Sequence, residues 1–160
     1  MLSAIEKQAT QNDCMLVVRC NERTFAIPIE YVIETMRPLP IVDMPNKPSF
    51  VLGVSILRGK PTPVVDLCSL LGFEQTKDSS RFVLLRVGQR QVALLAGTVL
   101  GIESLSKQTL HDLPQLFAEA NQEALSILGV RDHELMVVVQ NMQFLPEDVW
   151  DEMHQEDRPT

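Results

Sequence analysis

The chain has 160 residues, 45% of them apolar and 22% charged, and a formal net charge of −7. That length fits one domain or two small, tightly joined halves, and that apolar content can bury a core, which excludes a disordered chain. So acidic a protein neutralises phosphates poorly, which argues against nucleic acid and against an anionic membrane surface as partners.

Residues 1–13, MLSAIEKQATQND, are polar and lack the basic-then-apolar layout of a signal peptide. They read as an N-terminal tail, and no later apolar run is long enough to span a bilayer. Direct membrane insertion is therefore not expected. A single domain is expected over 14–150. It opens with Met15 to Val32, which reads as a strand, a tight polar turn at Asn21-Glu22 and a returning strand. A proline-rich stretch follows, holding Pro38, Pro40, Pro45, Pro48, Pro61 and Pro63. Proline fixes φ and removes a donor, so short strands and turns are expected there, not long helices. Phe50 to Leu57 reads as a strand interrupted at Gly53, Arg58-Gly59 as a turn, and Pro63 to Leu67 as another short strand. Cys68 to Leu71 fits one helical turn stopped by Gly72.

Phe82 to Val99 then repeats the opening hairpin at a constant offset of 82 − 15 = 67 residues. Arg19 meets Arg86, Arg23 meets Arg90, Ala26 meets Ala93 and Val32 meets Val99, and apolar positions match almost throughout. The simplest cause is a pair of related β-subdomains. Between 105 and 129 helix formers mix with turn residues, and Leu116 to Ala120 is a candidate helix. Leu135 to Val139 is β-branched throughout its end and reads as a central strand buried on both faces. Pro146 suits the start of a closing helix, with Glu147 and Asp148 favourable in its first turn. Val149, Trp150 and Met153 give it an apolar stripe, although the domain boundary is drawn at Trp150 and 151–160 is assigned to a C-terminal tail. The fold class is mainly β, with a few short helices. Closed barrels suit many short strands because closure removes exposed edges.

No local catalytic signature is present. His111, His133 and His154 stand far apart, with no Cys, Asp or Glu at metal-ligand spacing, so neither a metal nor another cofactor is expected. The Gly-Lys at Gly59-Lys60 is followed by Pro61 and lacks the glycine-rich loop of a phosphate cradle. Asp66, Asp78, Glu103 and Asp112 are carboxylates that nothing in the sequence pairs. Cys14, Cys20 and Cys68 form no CxxC motif and leave an odd count, which favours free, reduced thiols packed in the core of a cytoplasmic protein. The expectation is a binding protein and not an enzyme, with a small β-barrel enzyme as the rival.

The most specific segment is Gly53-Val-Ser-Ile-Leu-Arg58-Gly59-Lys-Pro-Thr-Pro63-Val-Val-Asp66-Leu67. It resembles the signature of CheW-like domains, which runs Gly-Val-x-x-Leu-Arg-Gly, then Pro-Val three residues on, then Asp-Leu. Val32-Ile-Glu34, Met44-Pro45, Pro48, Phe50-Val51 and Gly53 stand at similar spacing to further family positions. The resemblance covers Cys14 to Trp150. It implies two small, intertwined five-stranded SH3-like β-barrels. It implies an adaptor of bacterial chemotaxis that links a chemoreceptor's cytoplasmic tip to the regulatory domain of a CheA-type histidine kinase, and that can meet other CheW-like domains. Adaptors of pilus or gliding motility are the alternative. The resemblance places partner contacts at Arg58, Glu34, Val32, Leu57 and Ile56, and structural roles at Gly53, Gly59, Pro63 and Asp66. From the residues themselves, Leu57 and Leu67 read equally as core anchors, and Asp66 as a turn or strand-end cap. Arg58 reads as an internal ion pair with Glu34 or Asp66, or as a fork gripping a partner's carboxylate. Two residues depart from the family pattern. Ile56 replaces the usual Asn, either buried locally or altering the binding face. Gly97 replaces an Asp whose local hydrogen bonds are then missing.

Overall fold

The computed structural model describes residues 14–77, 81–104, 111–112, 125–131, 134–139 and 145–156. β1 (Cys14–Cys20) and β2 (Arg23–Pro28) form a hairpin, and a 3-10 turn at Ile29–Tyr31 leads into β3 (Val32–Met36). β4 (Val51–Leu57) and β5 (Lys60–Asp66) form the next hairpin, which ends in the short helix α1 (Leu67–Leu70). β6 (Arg81–Val87), β7 (Arg90–Ala96) and β8 (Thr98–Ser104) follow. Then come β9 (His111–Asp112), β10 (Leu125–Arg131), β11 (Glu134–Val139) and the closing helix α2 (Glu147–Glu156).

The strands make a five-stranded sheet, β3-β6-β7-β5-β4, and a six-stranded sheet, β8-β1-β2-β11-β10-β9. The expected pair of five-stranded units is thus met in one half. In the other, the two-residue β9 adds a sixth strand by pairing with Ile127 and Leu128 of β10. Each copy of the repeat seeds one sheet. The strand following each copy crosses to the other sheet: β3 pairs with β6, and β8 pairs with β1. The crossings are equivalent. Val32 faces Leu85 and Thr35 faces Val83, while Val99 faces Val18 and Ile102 faces Leu16. Shifting each residue of the first pairs by 67 positions, up or down, gives the second. The halves are therefore interlocked by exchange of a strand, and neither sheet is complete without the other half of the chain.

The symmetry continues into the second hairpins. β4 and β10 begin 125 − 51 = 74 residues apart, as β5 and β11 do at 134 − 60 = 74. β5 runs parallel to β7, and β11 runs parallel to β2. β11 is a central strand with Met136, Val137, Val138 and Val139 buried, as its β-branched run implied.

Alternation along the strands divides the core into layers. Leu16, Val18, Cys20, Phe25 and Ile27 of one sheet pack with Val65, Val83, Leu85, Val92 and Leu94 of the other in a central cluster. The opposite face of the six-stranded sheet buries Met15, Val17, Ala26, Met136 and Val138. The opposite face of the five-stranded sheet buries Leu57, Val64, Phe82, Leu84, Ala93 and Leu95. Strands buried on both faces need apolar residues at both parities, which is why these segments read as continuous hydrophobic runs.

Local chemistry fixes the ends. Asp66 is fully buried and caps α1: its carboxylate accepts from Ser69 N at 2.9 Å and Ser69 Oγ at 2.8 Å, and from Thr76 N at 3.1 Å. Gly72 follows α1 at φ +81° and ends it. Pro63 sits within β5, where parallel pairing to β7 begins only at Val64, so its missing donor falls outside that ladder. The closing helix runs to Glu156, past the expected boundary at Trp150, and Met153 one turn later is buried with Val149 and Trp150. The tail assigned from 151 is therefore corrected: residues 151–156 are helix, retained by that apolar stripe. Residues 1–13 and the candidate helix at 116–120 lie outside the described residues. Among the described residues no helix is long and apolar enough to cross a membrane.

Candidate functional site

β4 and β3 occupy opposite edges of the five-stranded sheet. The sheet curls far enough for one side chain to reach from the turn beside one edge to the strand at the other. Arg58, in the turn after β4, donates from Nε to Glu34 Oε1 of β3 at 2.7 Å and from Nη2 to Oε2 at 2.5 Å. Of the two partners left open for Arg58 by the sequence, the structure selects Glu34. The fork-to-fork geometry raises the Arg58 pKa and holds the Glu34 carboxyl below its ordinary value, in both cases chiefly through this hydrogen bond. The pair lies at the surface, with side-chain exposures of 63% for Arg58 and 29% for Glu34.

The turn is unusual in its backbone. Arg58 has φ +53° and Gly59 φ +76°, the double positive φ of a two-residue I′ hairpin. Glycine takes this conformation freely, whereas for arginine it is disfavoured by about 1–2 kcal/mol. The bidentate contact with Glu34 holds a guanidinium at this tight corner, its remaining edge open to solvent.

Alternation along β4 settles the neighbouring residues. Leu57 is fully buried against Phe82 and Leu84. Its inclusion among the partner contacts is therefore corrected: its side chain does not reach the surface, and it serves as the core anchor. Ile56, on the other face, is 59% exposed. Of its two readings, local burial is excluded and the altered surface remains. Val32 is half-buried and packs against the central cluster, with only part of its side chain available outside.

Ile56 is one wall of a feature the sequence reading missed. An open apolar groove of about 420 Å³ is lined by Leu39, Pro40, Val42, Val54, Ile56 and Pro61, together with Met153 of α2. Leu39, Ile41 and Val42 are exposed at 43%, 36% and 65%, so the groove is bordered by uncovered apolar side chains. Gly53 builds this wall. Val42 and Val54 exchange backbone hydrogen bonds at 2.8 Å each, and Gly53, at φ +149°, lies against them. A Cβ there would stand 2.2 Å from the Val42 carbonyl oxygen. Leu39 and Val42 sit in the proline-rich stretch, where only their apolar character amid prolines hinted at exposure.

The repeat also places equivalent arginines at equivalent sites. Arg23 lies over the Phe73 ring at 3.6 Å, and Arg90 over the Trp150 ring at 4.7 Å. Arg90 further grips Glu147 with contacts of 2.9 and 3.1 Å, fastening α2 to the start of β7. Gly97 is buried between β7 and β8, and its amide faces the Cys20 sulfur. Among the described residues no group of His, Cys, Asp or Glu is arranged to hold a metal ion.

Comparison with known proteins agrees with this architecture. Residues 14–148 match the CheW-like domain. The chain is 28% identical over 133 residues to the probable chemotaxis protein CheW of Rhizobium etli, covering 81% of this chain and 86% of that one. It is 27% identical over 137 residues to the chemotaxis protein CheW of Rhizobium meliloti, covering 84% and 88%. It is also 27% identical over 140 residues to protein FrzA of Myxococcus xanthus, covering 79% and 88%. Among solved structures, the scaffolding protein TtCheW of Thermoanaerobacter tengcongensis shares the fold, with a TM-score of 0.68 at 20% identity over 81% of this chain and 84% of that one. The family match spans nearly all of the two interlocked sheets, and the chain belongs to the CheW-like domain family.

Proposed function

We propose that this protein is a chemotaxis adaptor, coupling a chemoreceptor's cytoplasmic tip to the regulatory domain of a CheA-type histidine kinase and making or breaking no covalent bond itself. The observation that carries the reading is the juxtaposition on one sheet edge of an uncovered apolar groove and a surface arginine held at a strained turn. Apolar area supplies affinity, and a charged fork at its margin supplies orientation and partner choice. Ile56 lines the groove, while Arg58 and Glu34 set the register beside it, with Val32 contributing its exposed edge. Family membership over residues 14–148 supports the assignment to chemotaxis. The likeness to FrzA, which covers the chain almost as fully as the CheW likenesses, gives an adaptor in a different motility pathway as the second reading. The site of action is the cytoplasmic face of a receptor assembly.

The test is a titration of the labelled protein with a CheA-type regulatory domain and, separately, with a receptor-tip fragment. Saturable binding to both, lost in Ile56→Asp, is the expected result. No binding to either would overturn the adaptor reading. Binding to the kinase domain with none to chemoreceptor tips would favour the second pathway.

A further inference from the structure

We infer that Cys20 and Cys68 form a peroxide-responsive thiol pair whose oxidation to a disulfide staples the two sheets together. The residues lie 48 positions apart in sequence, yet Cys68 Sγ donates to the Cys20 carbonyl at 3.6 Å, and both residues are fully buried. Cys20 ends β1 of the six-stranded sheet, and Cys68 lies in α1, directly after β5 of the five-stranded sheet. A bond between them would cross the boundary between the halves.

The surroundings distinguish the two sulfurs. The side chain of Asn21 donates to Cys68 Sγ at 3.8 Å. Asn21 also lines an open polar cavity of about 840 Å³, together with Arg23, Phe73, Glu74 and Lys77, so one side chain touches both Cys68 and a cavity open to solvent. The buried Thr76 hydroxyl has no hydrogen-bond partner among the described residues, and it lies beside Cys68. A thiolate at Cys68 would give that hydroxyl an acceptor. The nearness of the Cys20 side chain lowers the Cys68 pKa, with Thr76 and Arg23 acting in the same direction and burial and Asp66 opposing. The nearness of Cys68 raises the Cys20 pKa, and burial adds to it. Cys68 is thus the attacking sulfur and Cys20 the resolving one.

The Cys68 thiolate attacks one oxygen of hydrogen peroxide, the O–O bond breaks, and the departing hydroxide takes a proton to become water. Cys68 is left as a sulfenic acid. The Cys20 sulfur, losing its proton, then attacks Cys68 Sγ. The S–O bond breaks and a second water leaves. The two sulfurs together lose two electrons, which the peroxide accepts.

The folded protein, freed of reductant, is treated with hydrogen peroxide and read by intact mass, thiol alkylation and peptide mapping. The expected product is lighter by two hydrogens, retains the Cys14 thiol, yields a peptide joining Cys20 to Cys68, and reverts with dithiothreitol. Its Tm rises by several degrees, since a cross-link constrains the unfolded chain. Cys14→Ser should behave as wild type, and Cys20→Ser should accumulate a sulfenic acid that dimedone captures at Cys68. Oxygen addition with no joined peptide, bridging between molecules, or cross-linking only after denaturation would each overturn the proposal. A lower Tm on oxidation would overturn the staple.

Discussion

Replacing Gly53 with alanine tests how the groove is built. The new Cβ would meet the Val42 carbonyl oxygen at 2.2 Å and the Ile41 side chain at 2.9 Å, and the backbone would carry a side chain at φ +149°. The clash is with backbone on one side, so side-chain rotation does not relieve it. The strand must move, and the pair of hydrogen bonds between Val42 and Val54, each 2.8 Å, is lost. Those bonds contribute about 1 kcal/mol each, and the backbone conformation costs about 1–3 kcal/mol for a residue with a Cβ. The sum is a loss of about 3–5 kcal/mol, a large part of an ordinary domain's stability. In a chain of this size that lowers Tm by about 6–20 °C. Gly59→Ala is the internal control: its φ is +76°, but a Cβ there meets nothing within 4 Å, so only the backbone term of about 1–2 kcal/mol applies. Urea denaturation of both variants separates the terms. Equal losses for Gly53→Ala and Gly59→Ala would refute the close-approach argument.

Asp66→Ala removes the cap of α1 and leaves the Thr76 amide without its acceptor, so a loss of about 2–4 kcal/mol is expected by chemical denaturation. Trp150→Ala empties the packing under α2 and should cost about 3–5 kcal/mol, with faster amide exchange along 147–156. Arg58→Ala, at a pair open to water, should leave the urea midpoint nearly unchanged while weakening partner binding. Because the folded Glu34 pKa is depressed, the pair's contribution is present above the ordinary carboxylate pKa of about 4.3. It is lost as pH falls through the lower folded value. Partner affinity should therefore be flat from about pH 5 to 8 as far as this pair is concerned, and an NMR titration of the Glu34 carboxyl should show its midpoint below the ordinary value.

The hairpins, their 67-residue repeat and the capped helix after Asp66 were legible because each is written locally, in alternation, turn residues and spacing. Exchange of β3 and β8 between sheets was not, since a repeated strand pattern states that a partner exists without saying which. The second repeat, linking β4-β5 to β10-β11, escaped because it is held in backbone register, with Pro61 and Pro63 of the first hairpin at the positions equivalent to Leu135 and Val137 of the second. Leu57 could have been removed from the contact set by period-two alternation, since Ile56 and Arg58 flank it on the outward face. The Arg58 contact was half legible: Glu34 and Asp66 were both in reach on paper, and only curling of the five-stranded sheet brings β3 to the β4–β5 turn. The groove and the Cys20–Cys68 approach depend on segments far apart in sequence meeting across sheets, which no spacing rule reports.

Binding of a CheA-type regulatory domain and a receptor-tip fragment, measured side by side for wild type, Ile56→Asp and Arg58→Ala, tests the adaptor reading most directly. The account predicts that wild type binds both, that Ile56→Asp loses the apolar contact while keeping the wild-type urea midpoint, and that Arg58→Ala binds more weakly. Unchanged affinity in both folded variants, or no binding by the wild type, would contradict it.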